Sequence, residues 1–426
     1  MSAASKGMTY AGLAALIVIA GLLLRTYWDN WPVDLSALYF AAHFYGQGAY
    51  DLVYPAGAFF WPDSGTPPEW TALAAQQGNP NAILPPFVYP PVWAALLAPL
   101  TQGMTMVEFA NAMLVLNVAS LVALVLFGFD MARRMTAETF HGDAPNLLLW
   151  VLACGVLIGF TSFGMLSLQL GQPQIFVSAL MVGALWAMMR GRDLSAGALL
   201  ALAAAIKLMP AMLAVVFVME RNWRALSAFV LVGAVLAGGS VLITGWPMHA
   251  GLLERIGMLD GEILESRLSI GIELSLLHLS TLLSGTAHWD IPGPGMVAQP
   301  VWVGISARVI LLAGLGASFW VTRDVPDTTR QWLRFLLSFL FVVLTAPLGW
   351  IHYLILPALL LPALATLMRA SWCLPVLLAI ASLLSIALFL TLSDYDWAGY
   401  VQVHLHVSMV LAVIAVLFAF ARETRR

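Results

Sequence analysis

Lysine is almost missing from this chain: its 426 residues hold two, Lys6 and Lys207. Charge of either sign is scarce, with Asp, Glu, Lys and Arg making up 10% of the residues and a formal net charge of −3. A nucleic-acid partner, which demands clustered cations, is therefore not expected. Cysteine is as sparse: Cys154 and Cys373 both sit inside apolar runs and read as small core residues rather than as a disulfide or metal pair. No glycine-rich loop stands between a strand and a helix, so there is nowhere to cradle a nucleotide. That sets aside an ATP-driven pump and a sugar-nucleotide enzyme.

What the chain has in abundance is apolar length. Hydrophobic residues make up 61% of it and the mean hydropathy is +0.89, which no soluble chain of this size carries without large exposed apolar patches. The expected fold class is an all-α polytopic membrane protein. Stretches long enough to span about 30 Å of hydrocarbon occur at 10–24, 106–130, 146–166, 172–190, 223–245, 301–321, 331–347, 352–368, 371–391 and 401–421, which makes ten crossings. The first lacks a small-residue cleavage pattern before Trp28 and has Arg25 in its place, so it is read as a retained helix rather than a cleaved export signal.

Arginine sets the expected orientation. Arg133 and Arg134, Arg190 and Arg192, Arg221 and Arg224, then Arg323 with Arg330 and Arg334, Arg369, and Arg422 with Arg425 and Arg426 mark every second connection. By the positive-inside rule these connections and both termini are expected on the cytoplasmic face of an inner membrane. The connections at 27–104 and 246–300 then become two long external loops. The first carries Asp29, Asp34, Asp51, Asp63 and Glu69 but no Lys or Arg, while Arg255 and Arg267 in the second run against the pattern.

One segment, 194–219, starts and ends beside cytoplasmic arginines and is broken midway by Lys207 and Pro210. About twelve helical residues on each side rise only about 18 Å, so a re-entrant hairpin is expected; two full crossings would bring the total to twelve. A charge and a proline are tolerated at that depth only where protein or a cavity surrounds them.

Asp34, flanked by Trp28, Trp31 and Tyr39 just beyond the first helix, is placed to be partly desolvated and so to act as a base, although taken alone it also reads as a helix cap. Lys207 in its apolar segment needs an anion, either a lipid phosphate or an acid from a neighbouring helix. Gln169, Gln172 and Gln174 gather near an external helix end, and Trp350-Ile351-His352-Tyr353 opens another after Pro347. Glu273, His278, Arg255 and Arg267 fall in the second long loop. His404 and His406 share no helical face, and Asp394-Tyr395-Asp396 reads as an acidic turn, so neither adds a metal pattern. No cofactor is expected.

In order and spacing, Asp34, Tyr39 with Ala41-Ala42, Gly48 and Tyr50, Tyr89-Pro90-Pro91 with Pro99-Leu100, and Gly171-Gln172-Pro173-Gln174 form one series. The stretch from Ala204 to Pro210 around Lys207, Arg221-Asn222-Trp223-Arg224 and Trp350-Ile351-His352-Tyr353 continue it. The whole resembles glycosyltransferase family 87, over about residues 30–360 and most strongly from Gly171 to Arg224. The family implies an integral membrane GT-C transferase that draws mannose from polyprenyl-phosphate-mannose. It implies Asp34 as catalytic base, and Gln172, Lys207, His352 and Trp350 around the donor. Arg255 and Arg267 are further candidates for the donor phosphate, and Tyr39, Tyr89 and Glu273 for substrate contacts. The chain departs from the family at Glu273-Leu274-Ser275-Leu276, where an Asn commonly precedes the Ser-Leu pair, and in a longer loop after Tyr54 with Asp63, Pro67, Pro68 and Trp70.

A lipid phosphate is a good leaving group, so the expected reaction needs a base for an acceptor hydroxyl and cations for the departing phosphate. One base and a single displacement imply inversion. The expected partners are a polyprenyl-phosphate sugar, a glycan or glycolipid acceptor and the bilayer. Alternatives are a transporter or flippase of a lipid-linked saccharide, with the broken hairpin as a midplane site, and a GT-C transferase for another polyprenyl-linked sugar.

Overall fold

The computed structural model describes residues 3–55, 66–139, 145–291, 293–368 and 372–425; Asp63, Arg369 and Arg426 lie outside them. Helix α1 (Ala3–Tyr27) leads into the first long loop, which folds into α2 (Val33–Gly46), α3 (Pro68–Gln76) and α4 (Val92–Gly103). Prolines precede all three, Pro32, Pro67 and Pro91, where a preset φ helps and a missing N–H costs nothing. Helix α5 (Met106–Thr139) is continuous over 34 residues, about 51 Å at 1.5 Å per residue. A reciprocal cap starts it: Glu108 accepts from the Thr105 backbone N–H at 2.8 Å, and the Thr105 hydroxyl accepts from the Glu108 N–H at 3.3 Å.

The middle of the chain is made of shorter pieces: α6 (Leu147–Phe160), α7 (Ser162–Gln169), α8 (Gln174–Met188), α9 (Asp193–Ile206) and α10 (Ala214–Met219), followed by the long α11 (Trp223–Thr244). The second long loop holds α12 (Trp246–Gly257), α13 (Ile272–Ser284) and a small antiparallel pair, β1 (Glu262–Glu265) with β2 (Gly295–Ala298), registered Glu262 to Ala298. Among the described residues, that ribbon departs from the all-α expectation. The remainder is helical: α14 (Val301–Val321), α15 (Asp327–Thr345), α16 (Ile355–Leu360), α17 (Pro362–Leu367), α18 (Cys373–Leu383), α19 (Ile386–Ser393) and α20 (Gly399–Glu423).

Among the described residues, five helices are long and apolar enough to cross a membrane, those at 7–27, 106–138, 223–244, 301–321 and 396–423; α7 and α8, bent by 118°, make a sixth if counted as one span. Of the remaining expected crossings, 331–347 lies on the unbroken α15, while 146–166, 352–368 and 371–391 are segmented. The run at 146–166 breaks at Thr161 and the run at 371–391 breaks at Leu384, and the two breaks meet. Thr161 and Ser385 form an isolated antiparallel bridge, and the Ser162 N–H donates to the Leu384 carbonyl at 2.8 Å. Each break thus satisfies backbone groups that the other frees, which is the condition for interrupting a helix away from water.

The two ends of the bundle differ in chemistry. At one end Asp130 accepts from Arg134 and from Arg190 and Trp186, joining α5 to α8. Close to the same end Glu220 takes Arg330 and Arg334 from α15, each at 3.0 Å. The long loops form the other end. The hairpin begins and ends together, since Asn222 donates to Asp193 at 2.7 Å. Its first arm packs so closely on α11 that a Cβ on Gly197 would lie 2.1 Å from the Ala225 carbonyl oxygen, a small-residue contact typical of membrane helices. Cys154 is buried and unpaired.

Candidate active site

The site forms where α2, the turn after α7 and the break in the hairpin converge. Asp34 lies in the first turn of α2, where the unpaired N–H groups of the helix favour a carboxylate. That end is tied down by backbone: the N–H groups of Asp34 and Leu35 both donate to the Leu170 carbonyl, at 3.1 and 3.2 Å. The next residue, Gly171, has φ +65°, and a Cβ there would stand 2.7 Å from Pro32 Cβ and 3.0 Å from Leu35 Cβ. Glycine is needed both for its backbone angle and for the approach.

Gln172 follows and is buried. Its amide nitrogen donates to Asp34 Oδ2, and its carbonyl oxygen accepts from Lys207 Nζ at 3.1 Å. The amide orientation is fixed by its neighbours, because a carboxylate can only accept and an ammonium can only donate. Enclosure by protein pushes the Asp34 carboxyl up to about 6, even though the Gln172 hydrogen bond and the Lys207 charge pull the other way.

Lys207 reaches this amide because the hairpin breaks at its own residue. Its backbone is extended, φ −132° and ψ 136°, and a 3-10 turn at Met209–Leu213 carries the chain into α10. Pro210 in that turn cannot continue an α-helical ladder. The break frees carbonyls at the end of α9, and the Trp93 indole N–H donates to one of them, that of Ala205, at 2.7 Å. The ammonium also faces two rings, Tyr353 at 5.0 Å and Tyr89 at 6.0 Å from their centroids. His352, buried in the 3-10 turn that opens the α16 segment, stacks on Trp350 at 6.1 Å and meets Tyr353 edge-on at 4.9 Å. Its Nε2 has no hydrogen-bond partner among the described residues.

Of the residues singled out in the sequence, then, Asp34, Gln172, Lys207, Tyr89, His352 and Trp350 come together. The others are placed differently. Tyr39 is fully buried, donating to the Met104 carbonyl at 2.7 Å and accepting from Gln77 at 2.9 Å, so it braces the first loop instead of facing a substrate. Arg255 donates to the Pro55 carbonyl beside Tyr54, whose hydroxyl donates to the Tyr89 carbonyl at 2.5 Å. It therefore ties the second loop to the first, one contact behind Tyr89. Arg267 is a clamp: it donates to the carbonyls of Ile291, Leu392, Tyr395 and Asp396, not to the Lys207 group. Glu273 is buried at the α13–α14 junction with Gln299 and the Arg308 charge, and burial holds its carboxyl above the usual range. Sequence distance from the hairpin carries no information on which loop folds over it, and the structure places both Arg267 and Glu273 apart from the Lys207 group.

Two participants escaped the sequence reading. Tyr353, next to His352 in the same motif, supplies the nearer ring to Lys207, and Trp93 sits in the Tyr89-Pro90-Pro91 stretch that marked the loop.

The arrangement sets a partly enclosed carboxylate on one side of an amide and an ammonium on the other, with two aromatic rings beside the ammonium. The sequence model of glycosyltransferase family 87 matches residues 87–347. The matched stretch contains Tyr89, Gln172 and Lys207, and leaves out Asp34, Trp350 and His352. No curated protein matches the chain. With more than half of its length covered, the chain belongs to glycosyltransferase family 87 and is a multi-pass membrane glycosyltransferase.

Proposed function

We propose that the protein moves a sugar, mannose by resemblance, from a polyprenyl-phosphate donor to a hydroxyl of a glycan or glycolipid on the external face of the inner membrane. The observation that carries this reading is the Asp34–Gln172–Lys207 chain, in which one amide joins a carboxylate to an ammonium. Asp34 takes the acceptor proton as the acceptor oxygen attacks the anomeric carbon. The bond from that carbon to the phosphate oxygen breaks, and the departing polyprenyl phosphate gains negative charge. Lys207 faces this developing charge in a site with little water, where one fixed cation counts for far more than at a surface. His352, with its free Nε2, is the second candidate for the phosphate. Gln172 keeps base and cation apart, so neither is consumed by a direct ion pair.

Among the described residues Asp34 is the one carboxylate at this group, and one base with one displacement inverts the anomeric configuration. A β-linked donor then yields an α-linked product. Purified protein in detergent, given polyprenyl-phosphate-mannose and a glycolipid acceptor, tests the reading. A new α-linkage identified by NMR supports it; no bond formed with any polyprenyl-phosphate sugar, together with movement of lipid-linked saccharide across sealed vesicles, would replace it with the transporter reading.

A further inference from the structure

The turn that carries Trp350, His352 and Tyr353 is held by a strip of the second long loop. The Ile351 N–H donates to the Leu268 carbonyl at 2.9 Å, and the Ile270 N–H donates to the Gly349 carbonyl at 2.8 Å. These two bonds flank Ser269 and Trp350, which face each other as an isolated antiparallel bridge. The approach is close: a Cβ on Gly349 would stand 3.2 Å from the Gly271 nitrogen and 2.7 Å from the Val343 carbonyl oxygen.

Ser266, Ser269 and Ile270 of this strip are buried, so its backbone groups need partners inside the protein. Three N–H groups find them within the strip. Leu268 donates to the Ser266 hydroxyl at 3.2 Å, Ser269 to the Ser266 carbonyl at 3.0 Å, and Gly271 to the Ser269 hydroxyl at 3.1 Å. The Ser269 carbonyl is served from elsewhere. With the ladder bonds on either side of them, Ser269 and Trp350 are a non-hydrogen-bonded pair, so the Ser269 carbonyl points away from the turn. It is bonded by the imidazole of His406, on α20. A carbonyl only accepts, so the bonded ring nitrogen carries the proton. Nδ1 has no partner among the described residues, which makes Nε2 the donor. His406 is itself buried, its ring nearly parallel to that of Phe389 at 6.3 Å.

We propose that His406 is a positioning residue: by bonding the outward carbonyl of Ser269 it fixes the strip that holds the turn, and so sets His352 and Tyr353 relative to Lys207. The Tyr353 ring stands 5.0 Å from Lys207 Nζ, so a shift of the turn is felt at the ammonium. The inference rests on the functional reading above for what this end of the site binds, the donor phosphate. Without the imidazole, a buried carbonyl is left unmatched and the strip must move to satisfy it. The effect should therefore fall on the donor and spare the acceptor.

His406→Leu fills much of the same space and removes the hydrogen-bond donor, whereas His406→Gln restores an N–H at about the reach of Nε2. The leucine variant should raise KM for undecaprenyl-phosphate-mannose by roughly three- to tenfold with the acceptor KM unchanged, and the glutamine variant should return it to within about twofold of the unmutated value. A contact that merely stabilises the fold would lower the melting temperature and the active fraction and leave both KM values in place. That result, or a glutamine variant no better than leucine, would overturn the proposal. If thermal unfolding in detergent shows the leucine variant misfolded, His406→Asn, whose amide is too short to reach the carbonyl, takes its place against His406→Gln.

Hydrogen exchange followed by mass spectrometry reads the strip without any sugar transfer. Peptides containing Ile270 and Ile351 should exchange about tenfold faster or more in His406→Leu, with α5 peptides unchanged and His406→Gln restoring the slow rate. If unmutated protein transfers no sugar from any polyprenyl phosphate while this pattern holds, His406 still positions the turn and the functional reading falls. Unchanged exchange at Ile351 in the leucine variant overturns the positioning role.

Discussion

Asp34 and Lys207 hold opposite ends of a single side-chain amide, that of Gln172, although they come from the first long loop and from the break in a helical hairpin. The relationship brings a carboxylate and an ammonium to one amide without a direct ion pair between them. Four consequences can be measured.

Asp34→Asn preserves size and shape and retains an oxygen that can accept from Gln172, so the fold should survive. The base is lost, and the transfer rate is expected to fall by about 10²- to 10⁴-fold, the usual contribution of general-base catalysis. Steady-state kinetics on folded protein check this; a variant with the unmutated rate removes Asp34 from the mechanism.

The acid side of the pH profile should report the same carboxyl. A base must be ionised, and enclosure raises Asp34 to about 6. The kcat/KM value is therefore expected to be level above this pH and to fall tenfold per unit below it, since it follows ionisation in the free enzyme. Gln172→Met removes a hydrogen bond that favours the ionised form, which moves the fall to higher pH. A profile that stays flat well below pH 6 would count against the assignment.

Gly171→Ala introduces a Cβ against Pro32 and Leu35 at a positive φ. We expect a loss of about 1–3 kcal/mol in stability, from backbone strain and overpacking together. The rate should drop as well, because the displaced element is the start of α2 that carries Asp34. Gly21→Ala, whose added Cβ meets nothing within 4 Å, is the control and should be neutral in both measurements. Equal melting temperatures for the two variants would contradict the close approach.

Arg267→Ala separates a clamp from a phosphate ligand. Its guanidinium holds carbonyls at Ile291, Leu392, Tyr395 and Asp396. Hydrogen bonds from a charged group contribute about 1.5–3 kcal/mol each at most, and shared ones less, so a lowered melting temperature with donor KM unchanged is expected. A raised donor KM in a stable variant would return Arg267 to the phosphate.

The degree to which the site was legible varies from residue to residue. Lys207 stood out because a lone ammonium beside a proline in an apolar run has few explanations. Gln172 stood out as one of three glutamines near a helix end and by resemblance, but its bridging of Asp34 to Lys207 was invisible, since an amide has no preferred partner in a sequence. Tyr39 was ambiguous: an aromatic near an acidic residue looks the same in one dimension whether it lines a cleft or braces a loop. Arg267 was ambiguous in the same way, because a guanidinium serves an anion and a set of carbonyls equally well. Likewise the runs at 146–166 and 371–391 carry no proline at Thr161 or Leu384 to announce their breaks. Those breaks persist because each satisfies the other's backbone.

Composition alone determined that this chain lives in a bilayer and is helical, because hydrocarbon leaves a backbone few other ways to satisfy its N–H and C=O groups. It also determined that a charge at Lys207 must have company. Which company was decided by tertiary structure: the Leu170 carbonyl pins α2, Gly171 permits the contact, and Trp93 steadies the hairpin break. Partner choice among distant polar groups depends on how helices pack, and packing in a membrane follows shape more than polarity.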